Sequence, residues 1–575
     1  MEFVNAADWG ILPGNHRDLT ARMAELLARL AGQRDVCLRM EPGEYHFYPQ
    51  GVPLYQWNIS NHDLSDGQAT GIFLRGWKDF TLDGGGSRWI FHTEMLPCQV
   101  ADCENLHLKN FSVDYSRPAY SEGIIRQVSP QQMTVWIDPD QYPWCMEDGR
   151  LVFWGENFRH ALHLWLEMDE NTRRPAWGTD DLYICTQTQK VGLHPEFQAL
   201  GRDLVQITLR GEERFFAGSR VGNRLIFRHH PRTSPAVYVT DSRNICCENI
   251  RIFHTPGMGF LAERCEDVTL QQFVVAPQPE TGRYFSAAAD GAHFVNCGGT
   301  LRLEACRFEN QLDDGLNVHG FYAVVLGQPA PRQLLLGWGH PMQRGVRLAR
   351  PGDVLALMPA DTLRPHWTGR ICRVFDDGGN MGVELETPPP VLPAGRWVAE
   401  NLTLSPEVQV KNCLFRGNRA RGMLLTCRRA LVEGCTLDVP GAAVYLEGEA
   451  QYWYESGAVQ ELILRENQFV NCSYIPAWGQ APITVCPKVR HGEGYYHGRI
   501  VLENNHFSCF DRRMVWAREV EELCLTDNQF TPTEAYPPTE GECLDLANYG
   551  CLRQEHTFQE KPQSESGQNK MDASR

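Results

Sequence analysis

The chain has 575 residues, 42% of them hydrophobic and 22% charged, which suits several ordinary globular domains or one extended repeat body with insertions. Its formal net charge of −17 disfavours nucleic acid as a partner, because that binding relies on Lys and Arg side chains that neutralise phosphates. The charge does not exclude a neutral ligand such as a sugar.

Targeting signals are not visible in the sequence. No apolar stretch approaches the roughly 20 residues that a membrane span needs, so we expect no membrane partner. The first residues, Met1–Asn5, have neither the basic nor the apolar region that begins a signal peptide. We therefore expect a cytoplasmic protein, or a secreted or periplasmic one if a leader has been removed.

The N-terminal segment starts with a predicted helix. Leu19–Leu30 has apolar residues at a spacing of about 3.6, which predicts an amphipathic helix. The turn-rich run Pro42-Gly43-Glu44-Tyr45 follows before strand-like sequence begins. We expect 1–120 to form a cap and the first coils of the repeat described next, with the helix covering the open end of the stack.

A short pattern recurs through most of the chain: apolar, any, apolar, four residues, apolar. Its start alternates as a strand does, and an Asn, Gly or Asp in its middle marks a bend. Where no loop is inserted, successive starts lie 22 or 23 residues apart. The pattern starts at Leu106, Ile245, Val268, Leu301, Val408, Ala430, Leu462, Ile500 and Leu523.

This repeat predicts an all-β fold. The windows are too short, and too rich in β-branched and aromatic residues, for a helical repeat. We predict a right-handed parallel β-helix whose coils stack at about 4.8 Å. After the cap we expect an all-β insertion at 121–240, a β-helix core with acidic residues at 241–320, a small barrel-like β insertion at 321–402, C-terminal coils at 403–540 and a polar, disordered tail at 541–575.

Twenty cysteines occur without a Cys-x-x-Cys pair, and zinc-ligand spacing is absent. Many fall at repeat positions, where a small buried thiol packs well. Since no leader is visible, we expect buried free thiols rather than disulfides. The cysteines at repeat positions are Cys246, Cys247, Cys306, Cys413, Cys435 and Cys524.

Two acidic runs are the most informative feature. The run that begins Asp313-Asp314-Gly315 and the similar run that begins Asp290-Gly291 align Asp290 with Asp314, 24 residues later. In a stacked coil, aligned positions become neighbours. The predicted column of neighbours is Met258, Asp290, Asp314, Arg421 and Ala443.

Three neighbouring carboxylates suit the hydrolysis of a glycosidic bond. That reaction needs one carboxylic acid to protonate the leaving oxygen and a carboxylate that acts on water or on the sugar. Crowded carboxylates cannot all stay ionised at low cost, so at least one should have a raised pKa and suit the acid role. Asp290, Asp313 and Asp314 are therefore the candidate catalytic residues.

Further residues are candidate substrate-binding groups. Asn317 and His319 occupy alternate strand positions beside the acids, and His293 aligns with Asn317 one coil earlier. These three side chains could hydrogen-bond sugar hydroxyls or the acids. Arg421 follows on the next coil, where it would hold a carboxylate or the substrate. Trp453, in an aromatic loop, would form a platform on which a sugar stacks.

Other interpretations of these residues stay open. Asp-Gly sequences are common in turns, His319 and Arg421 fit solvated surface positions, and the aromatic loop fits simple packing. Clustered Asp residues on a parallel β-helix also bind calcium, as pectate-lyase-like enzymes do, with Arg421 as the one base we can place. The lack of an Asp-x-Asp-x-Asp series weakens that lyase hypothesis. A non-catalytic β-helix that binds glycans is the third alternative.

The acidic segment carries a family resemblance. The stretch from about Ala288 to Gly320, AADGAHFVNCGG followed by E-x-C-x-F-E-N and DDGLNVHG, resembles family 110 of the glycoside hydrolases. The similarity spans most of 1–540. It implies a bacterial exo-acting α-1,3-galactosidase that removes terminal galactose from blood-group-B-type or linear Galα1-3Gal glycans, with no metal or organic cofactor.

The resemblance extends more distantly to polygalacturonase-like proteins, which share an Asp on one coil and an Asp-Asp pair on the next. That similarity implies Asp313 as the general acid, Asp290 and Asp314 as bases, and inversion at the anomeric carbon. Column neighbours about 5 Å apart would suit retention on distance alone, so inversion rests on the resemblance.

The predicted partner is an oligosaccharide or glycan with terminal α-galactose. Long β-helices often pair side by side, which makes a homodimer a candidate assembly. The sequence does not distinguish fucosylated, linear and sulfated glycans.

Overall fold

The chain forms three parallel β-sheets that run along a stack of coils. The computed structural model describes residues 1–14, 16–56, 58–63, 67–179, 181–184, 192–492, 494–539 and 541–560. In each coil the chain passes from the first sheet to the second and then to the third, and each strand pairs in parallel with its equivalent one coil later. The predicted parallel β-helix is confirmed.

The first sheet contains the predicted repeat starts, and each start pairs with the next one along the chain, from Leu106 with Ile245 to Ile500 with Leu523. The repeat is therefore confirmed in its register. The strands of this sheet are Glu2–Asn5, Val36–Arg39, Glu266–Gln271, Gly298–Glu304, Glu407–Lys411, Arg429–Glu433, Glu461–Arg465 and His497–Glu503.

The second sheet is made of short strands. They are Glu44–Phe47, Val274–Val275, Arg307–Glu309, Leu414–Arg416, Thr436–Asp438, Gln468–Val470, His506–Cys509, Gln529–Pro532 and Gln559–Glu560. Three longer strands continue from the first sheet into the second: Lys78–Phe91, Glu104–Tyr115 and Arg243–Ile252.

The third sheet carries the acidic site at the entry to its strands. They are Gln68–Arg75, Met95–Ala101, Val237–Thr240, Phe260–Glu263, Ala292–Val295, Leu316–Phe321, Met423–Leu425, Val444–Leu446 and Ile483–Val485. Two strands run from the third sheet into the first, Val515–Thr526 and Leu544–Glu555. Two short strands add to the third sheet in antiparallel fashion, Leu54–Tyr55 and Glu455–Ser456.

A left-handed residue makes the bend between the first and second sheets. The fifth residue of each repeat copy has a positive φ, as predicted where this residue is Asn, Gly or Asp. Three copies have Gln, Ala or Glu there and still adopt the left-handed bend. These bend residues are Asn110, Asn249, Gln272, Ala305, Asn412, Gly434, Glu466, Asn504 and Asp527.

The residue after the bend points into the core and forms a ladder between coils. The backbone N–H of Cys435 donates to Asn467 Oδ1 at 2.9 Å, and the Asn467 amide donates to Asn505 Oδ1 at 3.0 Å. Each coil therefore satisfies a buried polar group of its neighbour. Cys247, Cys306, Cys413, Cys435 and Cys524 are buried free thiols, as expected at the repeat positions, and Cys246 is half-buried. Cys372 and Cys551 are free but exposed, so the expectation of burial does not hold for every cysteine.

The predicted N-terminal helix spans Thr20–Leu30. Its buried side chains Met23, Leu26, Leu27 and Leu30 belong to the same hydrophobic core as the first coils, so the helix covers apolar surface that would otherwise be exposed. Within the described residues no helix is long and apolar enough to cross a membrane. Short 3₁₀ helices lie at Ala6–Trp9, Glu213–Phe216, Pro279–Thr281, Pro341–Gln343 and Pro476–Trp478.

The first insertion leaves the coil after Tyr115 and returns at Val237. It has its own core around Phe153, Trp165 and Phe227. Seven strands form one antiparallel sheet: Ser121–Ser129, Gln132–Trp136, Leu164–Met168, Leu182–Tyr183, Glu196–Ala199, Leu204–Thr208 and Arg224–Arg228. A three-stranded sheet is formed by Trp144–Glu147, Arg150–Gly155 and Phe158–Ala161.

The second insertion is a closed six-stranded barrel that follows the strand bearing Asn317. Its strands are Ala323–Ala330, Gln333–Trp338, Val354–Pro359, Trp367–Asp377, Asn380–Leu385 and Trp397–Asn401. The chain then re-enters the first sheet at Glu407.

The expectation of a disordered tail from 541 is wrong for its first part. Leu544–Glu555 is a strand that pairs in parallel along Val515–Thr526, and Gln559–Glu560 pairs with Gln529–Pro532. The polar composition suggested disorder, but it reflects the position of this strand on the outermost described coil, where many of its side chains face solvent. The remainder, 561–575, lies outside the described residues.

Candidate active site

The two acidic runs lie on adjacent coils, at the corner between the second and third sheets. The Gly259 N–H donates to the Asp290 carbonyl at 2.9 Å, and the Gly291 N–H donates to the Asp314 carbonyl at 3.0 Å. The Gly315 N–H donates likewise to the Arg421 carbonyl at 2.9 Å. Met258, Asp290, Asp314 and Arg421 therefore form the predicted column.

Ala443 does not belong to this column. Met423 pairs with Val444, so Arg421 is aligned with Ala442. The prediction counted a fixed number of residues from the repeat start, and this corner is one residue shorter than the one before it.

Glycine follows the acids because the backbones of successive coils approach closely there. A Cβ atom on Gly291 would lie 2.6 Å from the Gly315 carbonyl oxygen, and one on Gly315 would lie 2.6 Å from the Gly422 carbonyl oxygen. Real Cβ atoms do not come so near. The glycines thus allow tight stacking at the positions that fix the neighbouring Asp side chains.

The three carboxylates meet at one point. One oxygen from each of Asp290, Asp313 and Asp314 lies within 4.8 Å of the others. Asp290 and Asp314 are buried, and the Asp313 side chain is 23% exposed.

Arginines balance the charge of two of these acids. Arg232 Nη2 donates to Asp313 Oδ2 at 2.8 Å, and Arg419 Nη1 lies 3.8 Å from Asp313 Oδ1. Arg421 donates to Asp314 twice, from its backbone N–H at 2.8 Å and from Nη1 at 3.2 Å. Within the described residues, Asp290 Oδ1 accepts only the Asp314 backbone N–H, at 3.3 Å.

These surroundings separate the pKa values of the acids. Burial, and then the charge of Asp313, raises the pKa of Asp290 to about 8. Burial also raises the pKa of Asp314 to about 7, against the opposing effect of Arg421. Burial would raise the pKa of Asp313 too, but Arg232 and Arg419 outweigh it and hold this pKa below its ordinary value. Asp313 is thus the ionised member.

A chain of hydrogen bonds places a proton on Asp290. His319 Nδ1 donates to the Gly320 carbonyl, so its Nε2 accepts from His293 Nε2 at 2.8 Å. His293 Nδ1 then has no hydrogen, yet it lies 2.6 Å from Asp290 Oδ2. The proton of that bond belongs to the Asp290 carboxyl, because burial lowers the pKa of His293 to about 3 and keeps the ring neutral.

The acids form the floor of a pocket of about 390 Å³. Loops from the N-terminal coils, the first insertion, the barrel and the segment around Trp453 form its walls. The wall residues include Asn61, Asp63, Tyr120, His163, Arg228, Arg232, Met342, Trp453, Glu455 and Trp478. A second cavity of about 350 Å³ adjoins this pocket and shares Tyr183, Arg419 and Trp478 with it.

Three of the five residues predicted to bind substrate line this pocket: Asn317, Arg421 and Trp453. The Asn317 Oδ1 atom is buried without a hydrogen-bond partner in the part of the chain that the structure describes.

His293 and His319 do not line the pocket. His293 instead bonds the acid Asp290, which is the other of the two roles that the sequence allowed. The two histidines are 0% and 2% exposed and lie behind Asp290. His319 does alternate with core positions as predicted, but the antiparallel strand Glu455–Ser456 pairs beyond it and covers that face.

The sequence argument missed Arg232, Arg419, Tyr120, Glu455 and Trp478. Arg232 lies 81 residues before its partner Asp313, across a coil boundary. A signal did exist for three of them, because Arg232, Arg419 and Trp478 each precede a third-sheet strand, at the corner that carries the acids.

A calcium ion at the three acids would compete with arginine. The Arg232 and Arg421 guanidinium groups already contact Asp313 Oδ2 and Asp314 Oδ2, and both would be repelled by a dication. Calcium also prefers six to eight oxygen ligands. The donor set and its charges therefore fit acid–base chemistry better than a calcium site.

Comparisons with known proteins identify relatives over most of the chain. Residues 121–221 match the family described as GLAA-B beta-barrel domain I. The chain is 30% identical over 550 residues to an alpha-1,3-galactosidase B of Phocaeicola vulgatus, covering 90% of each chain. It is 27% identical over 545 residues to alpha-1,3-galactosidase B of Bacteroides thetaiotaomicron, covering 93% of this chain and 87% of that protein.

Among solved structures, the A-module of the Azotobacter vinelandii mannuronan C-5 epimerase AlgE4 is 9% identical, with a TM-score of 0.37 over 97% of this chain and 99% of that module. The fold assignment rests on the strand pairing and not on this likeness.

Proposed function

Because the chain belongs to the α-1,3-galactosidase family, we propose that it hydrolyses terminal α-1,3-linked galactose from glycans. The observation that carries the proposal is the meeting of Asp290, Asp313 and Asp314 on the floor of one pocket, with one carboxylate ionised and two carboxyls that hold protons near neutral pH. This difference in protonation is what the hydrolysis of a glycosidic bond requires.

The walls of the pocket support an exo mode of action. An endo-acting enzyme needs a groove that is open at both ends, whereas here the first insertion, the barrel and the Trp453 loop rise around the acids. A terminal sugar would enter with its non-reducing end inward. The adjoining cavity beside Tyr183 and Trp478 would leave room for the next sugar.

The charges assign the chemical roles. Asp313, ionised beside Arg232, would act as the base on the attacking water. Asp314 would protonate the leaving oxygen, since its pKa is about 7 and its proton is not committed to a histidine. Asp290 would keep the proton that it shares with His293 and limit the negative charge at the site. The resemblance in the sequence implied Asp313 as the acid, which the arginines around it do not favour.

We propose inversion at the anomeric carbon. Two carboxyl groups in an inverting enzyme commonly lie about 6.5–9.5 Å apart, and the oxygens here are closer. That distance range, however, describes enzymes that use one pair of carboxyl groups. With a third carboxyl group in the site, two of the three can hold the water while the remaining one protonates the leaving group. The support for inversion is thus the family resemblance together with the third acid.

Substrate contacts would come from the groups without partners and from the aromatic walls. The unpaired Asn317 Oδ1 would accept a hydrogen bond from a sugar hydroxyl. Trp453, which contacts the His340 ring at 4.3 Å between centroids, would stack on an apolar sugar face.

The test is proton NMR of a Galα1-3Gal disaccharide during hydrolysis. We expect release of galactose with the β-anomer appearing first, and no release by Asp313→Asn. Asp376→Asn, an exposed residue near the end of the barrel strand Trp367–Asp377, is the control and should match the wild type. If α-galactose appeared first, the reaction would proceed with retention, by a double displacement in which Asp313 is the nucleophile. No release from any α-1,3-galactoside would overturn the proposal.

A further inference from the structure

A second group of chemically competent side chains lies at the N-terminal end of the coil stack. His16, Glu44 and His46 each offer one ligand atom, and these atoms lie within 4.8 Å of one another. None of the three lines the acidic pocket. The cluster is therefore independent of the proposed galactosidase site.

The three residues are held in place by the backbone. Glu44 and His46 lie on the second-sheet strand Glu44–Phe47. The loop that carries His16 is hydrogen-bonded to this strand on both sides, by the Gly14 N–H to the Glu44 carbonyl at 2.9 Å and the Leu19 N–H to the His46 carbonyl at 3.0 Å. The His16 and His46 rings lie 4.4 Å apart between centroids.

Behind His46, a chain of hydrogen bonds runs through the protein to a second carboxylate. His46 Nδ1 lies 2.9 Å from His92 Nε2, and His92 Nδ1 lies 2.9 Å from Glu156 Oε2. On the other side, His46 Nε2 lies 2.9 Å from Glu44 Oε1. Both histidines are buried, so water does not compete for their ring nitrogens.

This series of hydrogen bonds is one hydrogen short when both imidazoles are neutral. Its three contacts, Glu44 to His46, His46 to His92 and His92 to Glu156, need three hydrogens, and two neutral imidazoles carry two. If His92 donates to Glu156 and His46 donates to His92, the lone pair of His46 Nε2 faces the Glu44 carboxylate. A cation between these two atoms removes that repulsion, and His16 stands beside them as a third donor.

We propose that His16, Glu44 and His46 bind one divalent transition-metal ion of the zinc class. Two imidazole nitrogens and a carboxylate oxygen are typical zinc ligands, and tetrahedral zinc places its ligand atoms about 3.4 Å apart, which small side-chain movements would reach here. Glu44 Oε2 faces Arg88 Nη1 at 3.6 Å, which leaves Oε1 for the ion. Since His16 is exposed and Glu44 is 37% exposed, a water molecule would complete the coordination.

The surrounding residues supply what a metal site needs. A ligating histidine commonly donates its other N–H to a fixed acceptor, which sets the tautomer. Here His92 is that acceptor for His46, and Glu156 of the first insertion fixes His92 in turn. The ion would connect the loop before the helix Thr20–Leu30 with the second sheet.

The test is metal binding by tag-free, full-length protein that has been stripped with a chelator and dialysed. We expect the wild type to take up one equivalent of zinc, measured by mass spectrometry of the metal content. With cobalt in place of zinc we expect visible absorption of a low-symmetry, four-coordinate ion. Zinc should also raise the thermal midpoint by about 2 °C.

Variants decide whether this cluster is the binding site. His16→Ala and Glu44→Gln should each weaken zinc binding by at least about tenfold, since each removes a ligand. His16 is exposed, so its removal should leave the fold intact. His556→Ala, an exposed histidine at the opposite end of the chain, is the matched control and should bind as the wild type does.

Two results would overturn the metal proposal: no zinc uptake by the wild type, or equal uptake by His16→Ala. The first would mean that a proton alone completes the chain between Glu44 and Glu156. Neither result bears on galactose release, which tests the other site.

Discussion

Arg232 donates to Asp313 at 2.8 Å, although 81 residues separate them in the chain. The contact links the end of the first insertion to the acidic corner, and it determines which of the three acids is ionised. Because Arg232 and Arg419 together outweigh the effect of burial on the pKa of Asp313, removal of Arg232 should disturb the chemistry more than the fold.

We predict that Arg232→Gln raises the pKa of Asp313. The acid limb of the pH profile of kcat/KM should move to higher pH, because the base must be ionised to act, and turnover near pH 7 should fall by about tenfold or more. The measurement is the pH dependence of galactose release. Arg75→Gln, an exposed ion-pair residue, is the control. An unchanged acid limb would remove Arg232 from this role.

The two acids with assigned proton transfers should be individually essential. Asp313→Asn and Asp314→Asn should each lower turnover of Galα1-3Gal by at least about a hundredfold, in the range of lost acid–base catalysis, with folding retained. Asp290→Asn should lose less, because its amide can still donate to His293. Circular dichroism would check the fold. A near-normal rate for Asp313→Asn or Asp314→Asn would exclude that residue from the mechanism.

A substrate with an acidic phenol as leaving group should identify the proton donor. Such a substrate needs little protonation, so Asp314→Asn should lose less than about tenfold on a dinitrophenyl α-galactoside, whereas Asp313→Asn should stay impaired. Rescue of Asp313→Asn instead would restore the roles that the family resemblance implied.

Replacing Asp290 and Asp313 should have opposite effects on stability. The raised pKa of Asp290 means that its contribution is present below its unfolded value of about 4 and is lost as the pH rises through about 8. Asp290→Asn avoids that loss, and its amide can still donate to His293. The free energy of unfolding of Asp290→Asn, relative to that of the wild type, should therefore increase between pH 5 and pH 9 by about 1–3 kcal/mol.

Because the pKa of Asp313 is lowered, its effect on stability has the opposite pH dependence. Its contribution is present above the unfolded value and is lost as the pH falls, so Asp313→Asn should destabilise the protein by about 1–2 kcal/mol at pH 7 and less at pH 4. Denaturant unfolding at pH 4, 5, 7 and 9 measures both variants. Equal effects of the two substitutions would contradict the assigned charges.

The close approach of the coils beside the acids can be tested with one methyl group. Gly315→Ala would place Cβ 2.6 Å from the Gly422 carbonyl oxygen, so the two coils must separate and Asp314 must shift. We expect at least a hundredfold loss of turnover, since about 1 Å of misplacement is costly in catalysis. Gly327→Ala, with no atom within 4 Å of its new Cβ, should behave as the wild type.

Turnover should not depend on calcium. A chelator should leave galactose release within about twofold of its untreated rate, and no unsaturated product should appear in the ultraviolet. Loss of activity that calcium restores would favour the lyase alternative, in which the three acids bind the ion.

The repeat could be predicted because two requirements recur in every coil. Positions such as Val268 and Val408 must be buried, and a position such as Asn412 must adopt a left-handed bend, so both leave a periodic signal. The alignment of Asp290 with Asp314 follows from that period alone.

The contacts that cross between segments left no such signal. Arg232 reaches Asp313 from an insertion whose length bears no relation to the period, and the strand Glu455–Ser456 covers His319 from a loop. Ala443 was misplaced because one corner is a residue shorter, which a count from the repeat start cannot detect.

The corner between the second and third sheets admits segments of very different length. It is a short loop at Asp313-Asp314 and a whole folded unit between Tyr115 and Val237, while the strands on either side keep their pairing. Exchange of the unit between Tyr115 and Val237 among relatives would therefore offer evolution, or an engineer, a way to reshape the wall of the pocket, provided that Arg232 is kept opposite Asp313.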